Sequence, residues 1–188
     1  MTYKLRPIHG LIALGLLTQS CKTDTSTDPF LIEKQNVGML TDSTQVKDLK
    51  AIYINDSIST YQSDDSFTGI VNTINILDKT GNHLLTLSPT EVMDSTATIS
   101  TVKIEDGRYA TDKGININST YGELSAAYTI KKIDNLINTI VVSVEGSDAA
   151  FTIDKKELPA NMRFDMNLNI DPIQIPDNAK IKYFMIHW

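Results

Sequence analysis

The chain has 188 residues, with 17 Lys and Arg against 23 Asp and Glu, a formal net charge of −6. Hydrophobic residues make up 41% of the chain, which is typical of a globular protein. Because acidic residues outnumber basic ones, the chain lacks the basic face that nucleic-acid binding requires, and we predict no nucleic-acid partner. The single Cys excludes an internal disulfide and a cysteine-built zinc site.

The first segment predicts an export signal over residues 1–20. Lys4 and Arg6 form a short positive start, and the apolar run Gly10–Leu17 follows them. The small residue Ser20 stands directly before Cys21. A positive start, a short apolar core and a small residue at the cleavage point are the parts of a secretory signal. The apolar run is too short to span a bilayer as a helix.

The cysteine after this segment resembles the lipidated residue of a bacterial lipoprotein signal, of the relaxed kind found in Bacteroidota. Ser20 fits that pattern, whereas Thr18 stands where the pattern usually has Leu, and Leu17 lies one place earlier. The resemblance implies that Cys21 is acylated and becomes the first residue of a mature outer-membrane lipoprotein of the cell envelope. The alternatives are a secretory signal without lipidation, followed by an unrelated cysteine, and a buried free thiol.

Residues 21–29 are predicted to be the lipidated cysteine and a flexible tether. Lys22–Pro29 contains no apolar residue and is rich in Thr, Ser and Asp, so it cannot bury enough surface to order itself. Its extended length is roughly 26–29 Å. Cleavage before Cys21 would leave 15 basic and 23 acidic residues, and such an acidic body is repelled by anionic lipid. We therefore expect the membrane to be a partner through the anchor alone.

The remaining chain predicts two tandem units, over residues 30–106 and 107–188, that form one compact domain. The spacing from Gly to Thr is six residues in both units, and the spacing from Leu to Tyr is four. The matched positions are Gly38, Ser43, Thr44, Leu49 and Tyr53 in the first unit and Gly114, Ser119, Thr120, Leu124 and Tyr128 in the second. Repetition of this kind indicates an internal duplication.

Each unit predicts a strand, a short helix, a hairpin and a closing strand. The glycines suit turns with positive φ. Thr44 is a predicted N-cap, and Thr120 with Glu123 forms a capping box. The helical spacing of apolar residues predicts one apolar face in each helix, formed by Val46, Leu49, Ile52 and Tyr53 in the first unit and by Tyr121, Leu124 and Tyr128 in the second. The fold class is therefore α+β, mainly antiparallel β with two helices of about ten residues. The predicted strands are 30–34, 70–77, 83–87 and 99–105 in the first unit and 107–111, 137–145, 149–153, 162–170 and 180–187 in the second. The predicted loops include a Ser- and Asp-rich loop that contains Asp64 and Asp65, after the first helix, and the proline-containing loop 171–178.

The sequence offers no catalytic constellation. No nucleophile elbow, zinc-binding helix, phosphate loop or dinucleotide fingerprint is present. His83 and His187 have no partner nearby in sequence, Asp64 and Asp65 indicate a solvated loop rather than a calcium site, and the run Asp154–Glu157 indicates ordinary surface charge mixing. We expect no enzyme activity, no catalytic residue, no metal and no cofactor. The alternative is a secreted hydrolase whose Asp/Glu site is assembled between the two units.

These features favour a non-enzymatic binding or assembly module of the cell envelope. The repeated Gly, Ser/Thr, helix and Tyr pattern resembles the tandem helix-plus-sheet units of β-lactamase-inhibitor-like and outer-membrane-assembly lipoproteins. That resemblance implies an envelope protein partner, which docks on a sheet face or edge, and it assigns no binding residue. A third possibility is an assembly factor that spaces other envelope components.

Overall fold

A computed structural model describes residues 28–65 and 69–188 of the chain. The predicted signal over residues 1–20 and the predicted lipidation site Cys21 lie outside the described residues, as does the tether up to residue 27. The described ranges form mostly antiparallel strands with two short helices, which confirms the predicted α+β class. No helix within these ranges has the length and apolar character needed to cross a membrane.

The described ranges contain twelve strands, two α-helices and four 3-10 turns. The strands are β1 (Leu31–Glu33), β2 (Asn36–Val37), β3 (Leu40–Thr41), β4 (Ser57–Asp65), β5 (Gly69–Leu77), β6 (His83–Pro89), β7 (Ile99–Ile104), β8 (Ala110–Thr111), β9 (Ile130–Asn135), β10 (Thr139–Val144), β11 (Ala149–Asp154) and β12 (Ile181–His187). The helices are α1 (Leu49–Ile52) and α2 (Tyr121–Ala127), and the 3-10 turns are Val46–Asp48, Lys155–Glu157, Ala160–Met162 and Pro172–Gln174.

Eight strands form one antiparallel sheet in the order β4-β5-β6-β7-β12-β11-β10-β9. A smaller sheet has the order β3-β2-β1-β8, in which β1 and β8 are parallel. The two predicted units meet where β7 pairs with β12, with Lys103 opposite Met185 and Ile104 opposite Phe184. Strands from both units thus belong to a single continuous hydrogen-bonded ladder.

The core lies on one face of the large sheet because side chains alternate along each strand. In β10 the buried positions are Ile140, Val142 and Val144, and the intervening side chains are half-buried. Phe151 and Phe184 meet in the core with their ring centroids 4.5 Å apart. Aromatic pairs at this separation add to the stabilisation that apolar burial provides.

The second helix begins at the predicted capping box. The Thr120 hydroxyl accepts a hydrogen bond from the Glu123 backbone N–H at 3.4 Å, and the Glu123 carboxylate accepts one from the Thr120 N–H at 2.8 Å. Tyr121 and Leu124 are buried on the face that the spacing predicted. α2 has seven residues, fewer than expected.

The predicted N-cap at Thr44 is wrong. The first helix begins with the 3-10 turn Val46–Asp48, and Gln45 occupies the capping position without a side-chain hydrogen bond. The Thr44 hydroxyl instead accepts from the backbone N–H of Thr41 at 2.9 Å. The side chain is therefore committed to the preceding turn, while the helix still buries Leu49, as its apolar spacing predicted.

The predicted strand over residues 162–170 is also wrong. The chain there forms the 3-10 turn Ala160–Met162 and then an irregular segment. The Asn135 side-chain amide donates to the carbonyl oxygens of Asp165 and Leu168 at 3.0 and 2.9 Å. These two carbonyls are therefore paired with a side chain and not with the backbone N–H groups of a neighbouring strand. Alternation of apolar and polar residues does not produce a strand where the backbone partners lie elsewhere.

Two strands of the large sheet were not predicted, and they form its two edges. The short strands β2 and β3 of the small sheet were not predicted either. β4 occupies residues expected to be a Ser- and Asp-rich loop, and β9 precedes the predicted second hairpin. Both edges lack the continuous apolar runs of the central strands, which is why their sequence signal is weak.

Candidate functional site

The groove at one end of the large sheet is the best candidate for a functional site. It has a volume of about 650 Å³. Thr139 pairs with Asp154, and Ile153 pairs with Ile181, so the start of β10, the end of β11 and the start of β12 lie together there. The lining residues are Ile137, Asn138, Asp154, Lys155, Lys156, Arg163, Phe164, Met166 and Lys182. We call this set the basic groove.

One wall of the basic groove is a 3-10 turn that Asp154 caps. The Asp154 carboxylate accepts a hydrogen bond from the backbone N–H of Lys156 at 3.0 Å, as an aspartate at an N-cap does. The backbone N–H of Lys155 donates to the carbonyl oxygen of Asn138 at 2.9 Å, which ties the turn to the loop before β10. The cap and this bond together fix the backbone that carries Lys155 and Lys156.

The other wall is the irregular segment after the next 3-10 turn. Met162 is buried and anchors the segment, and the Arg163 guanidinium donates through Nε to the carbonyl oxygen of Leu158 at 2.8 Å. Beyond it, Phe164 is 88% exposed and Met166 is 53% exposed, and both line the basic groove. Large apolar side chains grouped beside a concavity mark binding surfaces more often than isolated ones do.

The basic groove is positively charged on an acidic chain, since four cations face one carboxylate. Lys182 and Asp154 form an ion pair with Nζ and Oδ2 2.9 Å apart. The hydrogen bond from the Lys156 N–H, followed by that from Lys182, lowers the pKa of Asp154. The Asp154 carboxylate in turn raises the pKa of Lys182. Both groups are therefore charged at neutral pH, and the remaining cations of the groove have no salt bridge to any residue that the structure describes.

Lys155 differs from the other lysines of the described ranges because it is buried. The residue is only 4% exposed, and its Nζ has no hydrogen-bond partner within residues 28–65 and 69–188. Lys103, Lys132 and Lys182, by comparison, each pair with a carboxylate at 2.6 to 2.9 Å. An ammonium removed from water without a partner is costly, so such a group is expected to have an anionic partner. The prediction of ordinary charge mixing at residues 154–157 did not address the burial of this lysine.

A second charged cluster joins two carboxylates through an arginine. The Arg108 guanidinium lies 2.8 Å from an oxygen of Asp106 and 3.2 Å from an oxygen of Asp78. The hydrogen bond from Arg108 lowers the pKa of Asp106, and hydrogen bonds from Thr80 and Asn82 hold the pKa of Asp78 well below its usual range. A general acid needs a raised pKa to hold its proton at neutral pH, so this arrangement serves as an ion pair rather than a proton donor.

Among the described residues, the histidines His83 and His187 lie on different strands, and each is near a threonine. His83 Nε2 is 3.1 Å from the Thr86 hydroxyl, and His187 Nδ1 is 3.2 Å from the Thr101 hydroxyl. In the described ranges, no three His, Cys, Asp or Glu side chains are grouped closely enough to hold a metal ion. The sequence did not indicate the basic groove, because its residues come from four separate stretches of the chain.

Comparisons with known proteins show a likeness in fold to a solved structure. No protein-family model matches the chain, and no curated protein matches it. Among solved structures, the chain resembles the uncharacterized protein YfeY from Escherichia coli, with a TM-score of 0.55 and 17% sequence identity. The match covers 84% of this chain and 99% of the YfeY chain. At this identity the likeness shows a shared fold and nothing about function.

Proposed function

We propose that this chain is an envelope lipoprotein, anchored in the outer membrane through an acylated Cys21, whose folded body is a non-enzymatic binding or assembly module. The observation that carries the proposal is the basic groove, which combines four cations with exposed apolar side chains on a chain of net charge −6. Local charge opposite to the net charge directs a specific partner to one place on a surface. The basic groove is the binding site in this proposal.

The anchor is supported by the sequence around Cys21. A positive start, an apolar core and a small residue before the cysteine are what acylation of that thiol requires of a signal. One acyl chain holds a protein to a membrane only marginally, with about 0.8 kcal/mol per buried CH₂. The several chains that the lipoprotein resemblance implies would hold it durably, and the polar tether would leave the groove accessible.

We further propose that residues 30–106 and 107–188 arose by duplication. The support is that equivalent positions make equivalent backbone hydrogen bonds, and that the strand order of the second half is the reverse of the first. The paired bonds are Val46 N to Ala97 O with Tyr121 N to Ala179 O, Lys47 N to Ser95 O with Gly122 N to Asp177 O, and Tyr53 N to Leu49 O with Tyr128 N to Leu124 O.

The two proposed units differ most in one connection, and the basic groove lies there. Residues 90–98 connect β6 to β7, whereas the much longer stretch 155–180 connects β11 to β12. Binding residues are commonly carried on connections that a rigid scaffold positions. The location favours a role for the second unit in recognition and for the first unit in scaffolding.

Photo-cross-linking in intact cells tests this proposal. A benzophenone-bearing residue would replace Phe164 in the basic groove or, as the control, Ile54, which is 79% exposed and is not among the groove residues. We expect irradiation to give a defined adduct from position 164 and none from position 54, because only the groove has a partner. Equal labelling at both positions, or none at position 164, would contradict a binding role for the groove.

The lipid anchor is tested in the same cells by adding the Cys21→Ser substitution to the chain that carries the benzophenone residue at position 164. The serine variant has no thiol to acylate, so we expect loss of labelled-palmitate incorporation and transfer of the chain from the detergent phase to the aqueous phase. A Cys21→Ser chain that stays in the detergent phase would show that another feature holds it to the membrane.

A further inference from the structure

We infer that the basic groove binds an anionic amphiphile, a small molecule with a carboxylate or phosphate group attached to an apolar chain. The anionic group pairs with the Lys155 ammonium, and the apolar chain lies against Phe164 and Met166. This inference deepens the proposed function, on which it rests, by naming the chemical class of the ligand.

The headgroup position follows from Lys155. Lys155 lines the groove, and its ammonium is buried with no hydrogen-bond partner in the part of the chain that the structure describes. Ammonium groups pair with carboxylate and phosphate oxygens, and such charge-assisted bonds are the strong ones. Lys156 and Arg163, which also line the groove and form no salt bridge to a described residue, add positive charge around the same anion. Lys182 contributes less, because Asp154 already pairs with it.

The position of the apolar chain follows from the outer wall. Phe164 and Met166 line the groove and remain largely exposed to water. Covering such side chains with an alkyl chain contributes about 25 cal/mol per Å² of apolar surface removed from water. A methionine also adapts its shape to different apolar ligands. Cations and exposed apolar side chains that line the same groove match the two ends of an amphiphile.

The size of the groove favours a small molecule over a macromolecule. Its volume of about 650 Å³ falls inside the range of roughly 300–1,000 Å³ that is usual for small-molecule sites. A buried ammonium is reached more readily by a compact anionic group than by a carboxylate on a folded protein surface. An acidic peptide is the competing occupant.

Calorimetric titration of the full chain carrying Cys21→Ser distinguishes these occupants. This variant has no acyl group at position 21 to compete for the groove. The anionic probes are decyl phosphate and decanoate, which distinguish a phosphate from a carboxylate headgroup. 1-Decanol tests the apolar chain without an anionic group, and inorganic phosphate tests the anion without an apolar chain. A poly-glutamate peptide represents the acidic peptide. All amphiphiles are kept below their critical micelle concentrations.

We expect decyl phosphate, decanoate or both to bind at least about tenfold more tightly than 1-decanol or inorganic phosphate. Lys155→Met, which keeps the length and removes the charge, should weaken binding of the anionic amphiphile at least about tenfold and leave 1-decanol unaffected. Lys50→Met, at an exposed position away from the groove, should change neither. Without ligand, Lys155→Met should raise the thermal midpoint, because it removes an unpaired buried cation.

The inference is overturned if neither anionic amphiphile binds, if Lys155→Met and Lys50→Met weaken binding equally, or if poly-glutamate alone binds. A lower thermal midpoint of unliganded Lys155→Met would also overturn it, by showing that Nζ is already paired in the free protein. If these results appear while position 164 still captures a protein in cells, the ligand class is wrong and the binding role of the groove stands.

Discussion

Gly38 occupies a position where the backbone conformation and a close backbone neighbour both disfavour any side chain. It links β2 to β3 with a φ of +56°, and a Cβ built on it would lie 2.1 Å from the carbonyl oxygen of Pro29. Its backbone N–H donates to the carbonyl oxygen of Leu31 at 2.8 Å. The turn brings the start of the described chain against the small sheet, so a side chain here has to move backbone rather than a flexible side chain.

The prediction at this scale is that Gly38→Ala lowers the free energy of unfolding by about 3 kcal/mol, from left-handed backbone strain together with the clash. Gly146→Ala is the matched control, because Gly146 also has positive φ and a Cβ added there would meet no described atom within 4 Å. It should cost only about 1 kcal/mol. Urea unfolding of both variants measures the difference, and equal losses would show that the approach to Pro29 relaxes without cost.

The conformation of individual residues could be predicted from the sequence where it depends on neighbouring residues in the chain. The positive φ of Gly38 and Gly114 follows from their place in turns between apolar runs. The burial of Lys155 was not predictable, because Asp154 and Lys156 on either side are typical of a solvated turn. Its burial depends on the packing of the folded chain around its side chain, which a single sequence does not display.

At the scale of the element, the start of α2 is set by two side chains. The capping box between Thr120 and Glu123 satisfies two backbone N–H groups that a helix otherwise leaves unpaired. We predict that Thr120→Ala lowers the free energy of unfolding by about 1 kcal/mol. Ser125→Ala in the same helix should change it by less than about 0.5 kcal/mol, because Ser125 is exposed and alanine favours the helix.

Urea unfolding followed by circular dichroism compares these two variants. An effect of Thr120→Ala no larger than that of Ser125→Ala would mean that packing of Tyr121 and Leu124, rather than capping, sets where the helix begins. Neither substitution disturbs the core, because Thr120 is only half-buried and Ser125 is exposed.

Elements were predictable where short-range chemistry decides them. The hairpin of β5 and β6 follows from turn residues between β-branched runs, and Asp78 accepts backbone bonds from Thr80 and Asn82 within that turn. The stretch 162–170 misled the prediction because alternation is necessary for a half-buried strand but does not supply a pairing partner. Asn135 satisfies the backbone there instead.

At the scale of the whole molecule, the pairing of β7 with β12 joins the two halves into one sheet. Sequence alone predicted both strands as closing strands but not that they pair with each other, since partner choice depends on the packed core. Trp188, the single tryptophan, lies beside this junction, and its backbone N–H donates to the carbonyl oxygen of Ser100 at 3.0 Å. Its ring packs against the core, so its fluorescence reports on contact between the halves.

We predict that the Cys21→Ser chain unfolds in a single transition, with tryptophan fluorescence and far-UV circular dichroism changing at the same urea concentration. A continuous ladder and a shared core couple the halves, as two-state unfolding requires. Phe184→Ala, which leaves a cavity beside β7, should move both signals together and cost about 3–5 kcal/mol. Fluorescence that changes before circular dichroism would instead indicate that the halves separate first.

The walls of the basic groove come from a connection that contributes no strand to the ladder, residues 155–180. Substitutions at its exposed positions, such as Phe164 and Met166, leave both the pairing of β11 with β12 and the core residues of the segment in place, so selection can act on those positions without the penalty of refolding. Proteins that share this fold are therefore expected to differ first in the length and composition of the connection between β11 and β12. Their binding specificity would change while the large sheet stays the same.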